Sequence, residues 1–179
     1  MQKFLLHTCC APCSITIIDE SKEKYDLTVF FYNPNIHPEE EYLKRKREVV
    51  RVCEEWGVLM VDMDYDAENW HKIMNGLEDE PEGGVRCKKC FALRLEKTAQ
   101  YAHEHGFDMY STSLTSGRNK KADSIFPIGE FFAKKYGVFF LAEDWKKSGR
   151  QEKGRKMVEE RGIYRQKYCG CVYSKKVES

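Results

Sequence analysis

The stretch KFLLHTCCAPCS, residues 3–14, predicts a strand, a cysteine-bearing turn and the start of a helix. Lys3–Thr8 is a short apolar run of the kind that forms a buried strand. Pro12 suits the first turn of a helix, because a backbone N–H at that place would have no partner anyway. The residues between strand and helix include three thiols, which are those of Cys9, Cys10 and Cys13.

Outward from this stretch, apolar runs alternate with helical stripes. The further predicted strands are Leu27–Tyr32, Val58–Met63, Met109–Leu114 and Val138–Ala142. The further predicted helices are Glu39–Trp56, Asp66–Asn75, Lys88–His105, Asp123–Tyr136 and Gln151–Arg161. Five short strands separated by helices predict a three-layer α/β fold with a mostly parallel five-stranded sheet and a cysteine-bearing C-terminal tail. The sheet resembles that of nucleotide-binding, Rossmann-like α/β domains.

The turn after the first strand differs from that of nucleotide-binding domains. Those domains place glycines at this turn, so that a phosphate can approach the backbone and the helix N-terminus. This chain places thiols there instead. Because ligands of parallel sheets bind beyond the carboxyl ends of the strands, the turn predicts a metal site rather than an ATP site.

Length and composition bound the organisation of the chain. A chain of 179 residues suits one α/β domain, residues 1–179, that includes a basic tail from about residue 145 to residue 179. Hydrophobic residues at 41% and charged residues at 33% argue against a disordered chain. The apolar runs are too short to cross a bilayer, and the N-terminus does not resemble a secretory signal. We therefore expect a cytoplasmic protein with no membrane partner.

The eight cysteines are the sharpest functional signal. Cys53 lies on an apolar helix stripe and is predicted to be a core residue. The other seven form three groups, which are Cys9, Cys10 and Cys13, then Cys87 and Cys90, then Cys169 and Cys171. In a reducing cytosol disulfides are rare, so grouped cysteines indicate metal binding or catalysis.

Seven thiols exceed the four that one tetrahedral zinc or one 4Fe–4S cluster needs, and they are one short of two closed sites. The natural division is one closed site and one site with an open position, which catalysis at a metal requires. We expect the cluster to be held by Cys9, Cys10, Cys87 and Cys90. We expect the second, catalytic site to contain Cys13, Cys169 and Cys171. A redox disulfide between the last two is the alternative.

Charge predicts an anionic partner. Residues 145–179 carry a net charge of +7, whereas the rest of the chain carries −6. Candidate phosphate-binding residues are Arg118 and Lys120, in a loop after the fourth strand. Candidate residues for stacking on a base and for phosphate contacts are Tyr164, Arg165 and Lys167 in the tail. An ordinary solvated loop and a tail that packs its tyrosines on the domain remain alternatives.

Four motifs resemble one family over nearly the whole chain. They are HTCCAPCS (7–14), RCKKCFALRL (86–95), FLAEDWKK (140–147) and YRQKYCGCVYS (164–174), and they are similar to motifs of the QueH family, the cobalamin-independent epoxyqueuosine reductases. The resemblance implies reduction of epoxyqueuosine to queuosine at the wobble position of tRNA, with two electrons and two protons consumed and water released. It also implies a 4Fe–4S cluster, an adjacent mononuclear iron and an external electron donor of the ferredoxin or flavodoxin type.

Two other classes of protein fit part of the pattern. A zinc-bound nucleic-acid-binding module without catalysis explains the cysteine pairs and the basic tail, but it does not explain the odd seventh thiol. A thiol–disulfide oxidoreductase could use Cys87 and Cys90, yet the lysine-rich sequence between them lacks a thioredoxin-like setting.

Overall fold

The structure, a computed structural model, describes residues 1–175, so Lys176 and Glu178 of the basic tail lie outside the described residues. The strands are β1 (Lys3–His7), β2 (Asp26–Phe31), β3 (Leu59–Asp62), β4 (Met109–Thr112) and β5 (Phe139–Phe140). The α-helices are α1 (Ala11–Ser21), α2 (Glu39–Trp56), α3 (Ala67–Met74), α4 (Val85–Glu104), α5 (Ala122–Tyr136) and α6 (Arg150–Glu160). Short 3₁₀ turns cover Ser113–Ser116 and Val172–Ser174.

The five strands form one sheet in the order β3-β2-β1-β4-β5, and every pair is parallel. The predicted α/β fold is therefore confirmed, and the sheet is parallel throughout. The chain builds outward from β1 through β2 to β3, and then crosses to the other side of β1 for β4 and β5. This change of direction opens a crevice beyond the carboxyl end of β1, where parallel sheets bind their ligands.

Successive side chains of each strand point to opposite faces of the sheet and pack in two hydrophobic cores, one on each face. Phe4 and Leu6 of β1 pack in the core beneath α1, α2 and α6, whereas Leu5 packs in the core beneath α4 and α5. All three side chains are fully buried. Because both faces of the sheet are covered, near-continuous apolar strands are stable here, which is the three-layer arrangement that the sequence predicts. Cys53 lies in the first of these cores, as expected.

Three elements have a boundary that differs from the expected one by more than one residue. Helix α4 begins at Val85 rather than at Lys88, which places Cys87 and Cys90 within its first two turns. The predicted fourth strand ends early, because Ser113–Ser116 turns into a 3₁₀ helix, and β5 has only two residues. Among residues 1–175, no helix is long and apolar enough to cross a membrane. The single-domain organisation stays a prediction.

Candidate metal centre

Three thiols meet where β1 ends and α1 begins. The Sγ atoms of Cys9, Cys10 and Cys13 all lie within 4.8 Å of one another, and those of Cys9 and Cys10 are 3.8 Å apart. We call this group the thiol triad. Cys10 precedes α1 in extended backbone and Cys13 lies in the first turn of the helix, so the start of the helix brings both thiols to the same side.

The neighbouring strand orients the triad. The backbone N–H of Cys9 donates to Ser113 Oγ at 3.3 Å, and Ser113 directly follows β4. Hydrogen bonds from the thiols of Cys10 and Cys13 hold the pKa of Cys9 well below its ordinary value. Cys9 therefore loses its proton more readily than Cys10 and Cys13, whose pKa values are raised, and thiolate is the form that binds metal.

The other four clustered thiols line one cavity of about 310 Å³. We call them the thiol quartet; they are Cys87 and Cys90 of α4 together with Cys169 and Cys171 of the tail. Trp70 Nε1 lies 3.3 Å from Cys90 Sγ, and the backbone N–H of Gly83 lies 3.2 Å from Cys87 Sγ, so both donate to quartet sulfurs. A hydrogen bond from Cys171 lowers the pKa of Cys169 to about 5, which gives the quartet a thiolate too.

A buried arginine of α2 holds the tail thiols in place. Arg45 donates through its two terminal nitrogens to the carbonyls of Cys169 at 3.0 Å and Tyr168 at 2.8 Å. Its Nε donates to Glu41 at 2.8 Å, and this ion pair is almost completely buried. The backbone N–H of His37 donates to the carbonyl of Gly170 at 2.8 Å. The tail is thus bound to the domain through its backbone as well as through its side chains.

Positive charge surrounds both groups of thiols. Arg94 is 2% exposed, lines the quartet cavity and makes no ion pair with any carboxylate in the described part of the chain. Lys120 also lines this cavity; burial opposes its charge, yet the negative charges of Cys9 and Cys169 raise the pKa of Lys120. A buried cation without a carboxylate partner needs another anion nearby, and thiolates that bind metal supply it.

The structure groups the thiols differently from the expected partition. Cys13 lies with Cys9 and Cys10 rather than with the tail, and the tail thiols lie with those of α4. The division into four and three is kept, but its members change. The physical reason is that a helical turn brings Cys13 back to Cys10, whereas Arg45 of α2 holds the tail so that its cysteines line one cavity with those of α4.

The other candidate residues are distributed over three places. Arg118 and Arg165 line a second cavity that also contains Cys13, whereas Lys120 lines the quartet cavity. The hydroxyl of Tyr164 donates to Glu41 at 2.9 Å, so this tyrosine packs on the domain. Lys167 is exposed.

Sequence reasoning missed several residues around the thiols. Gln166 Nε2 lies 2.9 Å from Cys10 Sγ and 3.7 Å from Cys13 Sγ, and donates to both. Asn35 is buried beside the quartet cavity, and its Oδ1 has no hydrogen-bond partner among residues 1–175. The position of Gln166 three residues before Cys169 was the available signal; Arg45, Arg94 and Asn35 gave none.

The donor sets fit metal. Sulfur ligands of one tetrahedral ion lie about 3.8 Å apart when each metal–sulfur bond is about 2.3 Å. The triad has that spacing between Cys9 and Cys10, and its three thiols leave a fourth position open. A 4Fe–4S cluster takes four thiolates, one on each iron, so its ligands must be spread around a space. The quartet is spread around a cavity in this way.

The fold and the site define a parallel α/β protein with metal-binding cysteines at the carboxyl edge of its sheet. The fold is similar to that of the U34-tRNA thiolase NcsA from Methanococcus maripaludis, solved with its 4Fe-4S cluster, at a TM-score of 0.60 and 12% identity, over 98% of this chain and 62% of that one. The family model of epoxyqueuosine reductase QueH matches residues 4–177. The chain belongs to this family.

Curated relatives agree with the family model. Epoxyqueuosine reductase QueH of Histophilus somni is 45% identical over 174 residues, which cover 96% of this chain and 72% of the relative. The enzyme of the same name from Thermotoga maritima is 38% identical over 177 residues, which cover 97% of this chain and 91% of that one. The chain is therefore an oxidoreductase of queuosine biosynthesis, and a zinc-bound module without catalysis is not favoured.

Proposed function

We propose that this chain reduces epoxyqueuosine in tRNA with a 4Fe–4S cluster held by the thiol quartet and a single iron held by the thiol triad. The observation that carries the proposal is the separation of seven thiols into a tight group of three and a cavity-lining group of four. The three-coordinate group offers an open position, which binding of a substrate oxygen needs.

The reaction converts an epoxide, two electrons and two protons into an alkene and water. When bound, the metals supply single electrons and a Lewis acid for the epoxide oxygen. The protein's part is to place both groups of thiols around their metals and to balance the negative charge of the ligands, with Arg94 and Lys120 beside the quartet. Hydrogen bonds from Trp70 and Gln166 to the sulfurs orient the ligands and tune their basicity.

The partners follow from this chemistry. The substrate is tRNA that carries epoxyqueuosine at the wobble position, since the cations around the site suit an RNA backbone. Electrons come from an external donor of the ferredoxin or flavodoxin type, because each turnover consumes two electrons that the chain must regain before it can react again. A cytoplasmic location fits free thiols and a tRNA substrate.

The test is metal content and the visible spectrum after anaerobic purification, followed by conversion of epoxyqueuosine-bearing tRNA with dithionite. We expect Cys87→Ser to abolish the visible cluster absorbance. Cys13→Ser should keep that absorbance, lose about one iron per chain and lose turnover. The matched control is Cys53→Ser, which replaces a buried thiol of the other core and should keep all the iron.

Three outcomes contradict the proposal. Loss of the cluster absorbance in Cys13→Ser assigns that cysteine to the cluster. Stoichiometric zinc in a colourless protein ends the iron–sulfur assignment. Colourless, metal-free protein that remains active favours exchange of thiols and disulfides.

A further inference from the structure

A second cavity reaches the triad and is lined by none of the quartet cysteines. It has a volume of about 620 Å³ and lies between the first turns of α1, the turn after β4, α6 and the tail. Cys13 lines it, so the cavity reaches the triad directly. We call it the basic groove. Its size lies within the range of about 300–1,000 Å³ that is typical of pockets for small ligands, and a nucleotide fits such a volume.

Three cations that have no acidic partner in the described chain border the groove, and the acid that also lines it, Glu152, lies 3.5 Å from Lys156. Arg118, Arg155 and Arg165 line it with exposed side chains, and none of the three makes an ion pair within residues 1–175. Arg150 also lines the groove, but its guanidinium contacts Glu20 at 3.0 Å and Glu143 at 2.9 Å. Arg150 is therefore a structural cation, whereas the other three are free to contact phosphates.

Unpartnered polar atoms belong to residues that line the same groove. Trp145 is 6% exposed, and its Nε1–H has no hydrogen-bond partner among residues 1–175. The hydroxyl of Ser116 and the Oε1 atom of Gln166 are likewise buried without a partner in the described chain. Since buried polar groups in native proteins nearly always have partners, these atoms indicate a polar ligand.

Gln166 connects the groove with the triad. Its Nε2 donates to Cys10 and Cys13, while its Oε1 has no partner. The amide nitrogen of Gln166 therefore donates to the thiols, whereas its amide oxygen can accept a hydrogen bond from a hydroxyl or amine of a molecule in the groove.

We propose that the basic groove binds the reacting nucleotide of the tRNA together with its flanking phosphates. The inference rests on the proposed function for the identity of the nucleotide. Arg118, Arg155 and Arg165 contact the backbone, whereas Trp145, Ser116 and Gln166 hydrogen-bond to the nucleoside next to the triad. A concave groove whose lining residues carry unpartnered polar atoms suits an inserted nucleotide better than the flat surface of an electron-transfer protein.

The first experiment measures binding of epoxyqueuosine-bearing tRNA to the iron-loaded protein at several salt concentrations, without reductant. Each phosphate contact to a single strand contributes about −0.7 to the slope of log affinity against log salt. We expect the R118Q/R155Q/R165Q variant to bind more weakly at low salt and to lose about 2 from the magnitude of the slope. The control is K24Q/R47Q/K134Q, three exposed cations without ion pairs among residues 1–175 and away from the groove, which should keep the slope.

Iron content and visible spectrum are checked for both variants, and we expect them to be unchanged. An unaltered slope in the groove variant overturns the proposal. The proposal is also overturned if the groove variant binds tRNA normally, is reduced slowly by a flavodoxin and is reduced at the normal rate by dithionite. That result assigns the groove to the electron donor. The binding experiment does not depend on turnover. If the protein binds tRNA through the groove but does not reduce epoxyqueuosine, the proposed function is refuted and the groove proposal still holds.

The second experiment tests the nucleoside contacts. Trp145→Phe removes the indole N–H and keeps an aromatic side chain. We expect the variant to lose part of the preference for epoxyqueuosine-bearing tRNA over the same tRNA with an unmodified guanine, while its salt slope stays that of the wild type. If Trp145→Phe keeps the full preference for epoxyqueuosine-bearing tRNA, the nucleoside does not contact Trp145 and this part of the proposal is wrong.

Discussion

Gln166 shows how one residue outside the thiol pattern can control a metal ligand. Its amide nitrogen donates to Cys10 Sγ at 2.9 Å, and it comes from the tail rather than from the segment that carries the triad. Hydrogen bonds to a metal-bound thiolate withdraw electron density from the sulfur and stabilise the reduced metal.

We therefore expect Gln166→Leu to lower the reduction potential of the metal at the triad, as measured by an anaerobic redox titration followed by electron paramagnetic resonance. Gln151→Leu is the matched control, because Gln151 lines the same groove without a hydrogen bond to sulfur. An unchanged potential in Gln166→Leu shows that its hydrogen bond to sulfur does not act on the metal.

At the scale of elements, the position of the tail depends on α2. Arg45 donates to two consecutive carbonyls of the tail, at Tyr168 and Cys169, and to Glu41 on its own helix. Gly170 has a φ of +108°, and a Cβ atom there would lie 2.9 Å from a side-chain carbon of Ile36. Only glycine allows the chain to pass so close to the residues before α2 while Cys169 and Cys171 enter the cavity.

Arg45→Met should release this segment, because it leaves Glu41 buried without its partner and removes two contacts to the tail. We expect a loss of stability of about 3–5 kcal/mol, less iron at the quartet and faster tryptic cleavage after Arg165 and Lys167. Thermal unfolding, iron analysis and limited proteolysis measure these changes. Arg47→Met is the control on the same helix, since Arg47 is exposed. Equal cleavage rates in the two variants contradict the role of Arg45.

At the scale of the whole molecule, the basic C-terminal segment is partly neutralised by the acidic body. Arg150 pairs with Glu20 and Glu143, Lys153 pairs with Asp19, and Arg161 pairs with Glu55. The net charge of +7 over residues 145–179 therefore overstates what is available to RNA. The cations that remain unpaired within the described residues include the three of the basic groove.

Metal should connect distant parts of the chain. The quartet joins α4 to the tail, so metal bound there closes a long loop and stabilises the folded tail. We expect chelation of the iron to lower Tm and to accelerate hydrogen exchange in residues 165–175, while β1, β2 and β4 stay protected. Mass spectrometry of exchanged peptides measures both regions. Equal exchange of the tail with and without iron is incompatible with the quartet as a metal site.

Much of the fold was predictable from the sequence. Strand and helix periodicity depends on neighbours a few residues apart, so β1, β2 and the helices were placed to within a few residues. The order of the cysteine motifs along the chain was also enough to indicate the family. The early end of the fourth strand was not predictable. The side chain of Thr112 accepts a hydrogen bond from the backbone N–H of Leu114, and Ser113 accepts one from the backbone N–H of Cys9. The contact with Cys9 exists only in the folded chain, because the two residues are far apart in sequence.

The sequence by itself determined the α/β class and the number of clustered thiols, and it predicted their division into four and three. Only the tertiary structure decided which thiols meet, because that depends on contacts between residues far apart along the chain. Cys87 and Cys169, 82 positions apart, line one cavity because the tail docks on the domain, and Arg118 and Arg155 line another because α6 packs on α1. Local periodicity carries no record of such contacts, since their free energy is gained only when the whole chain has folded.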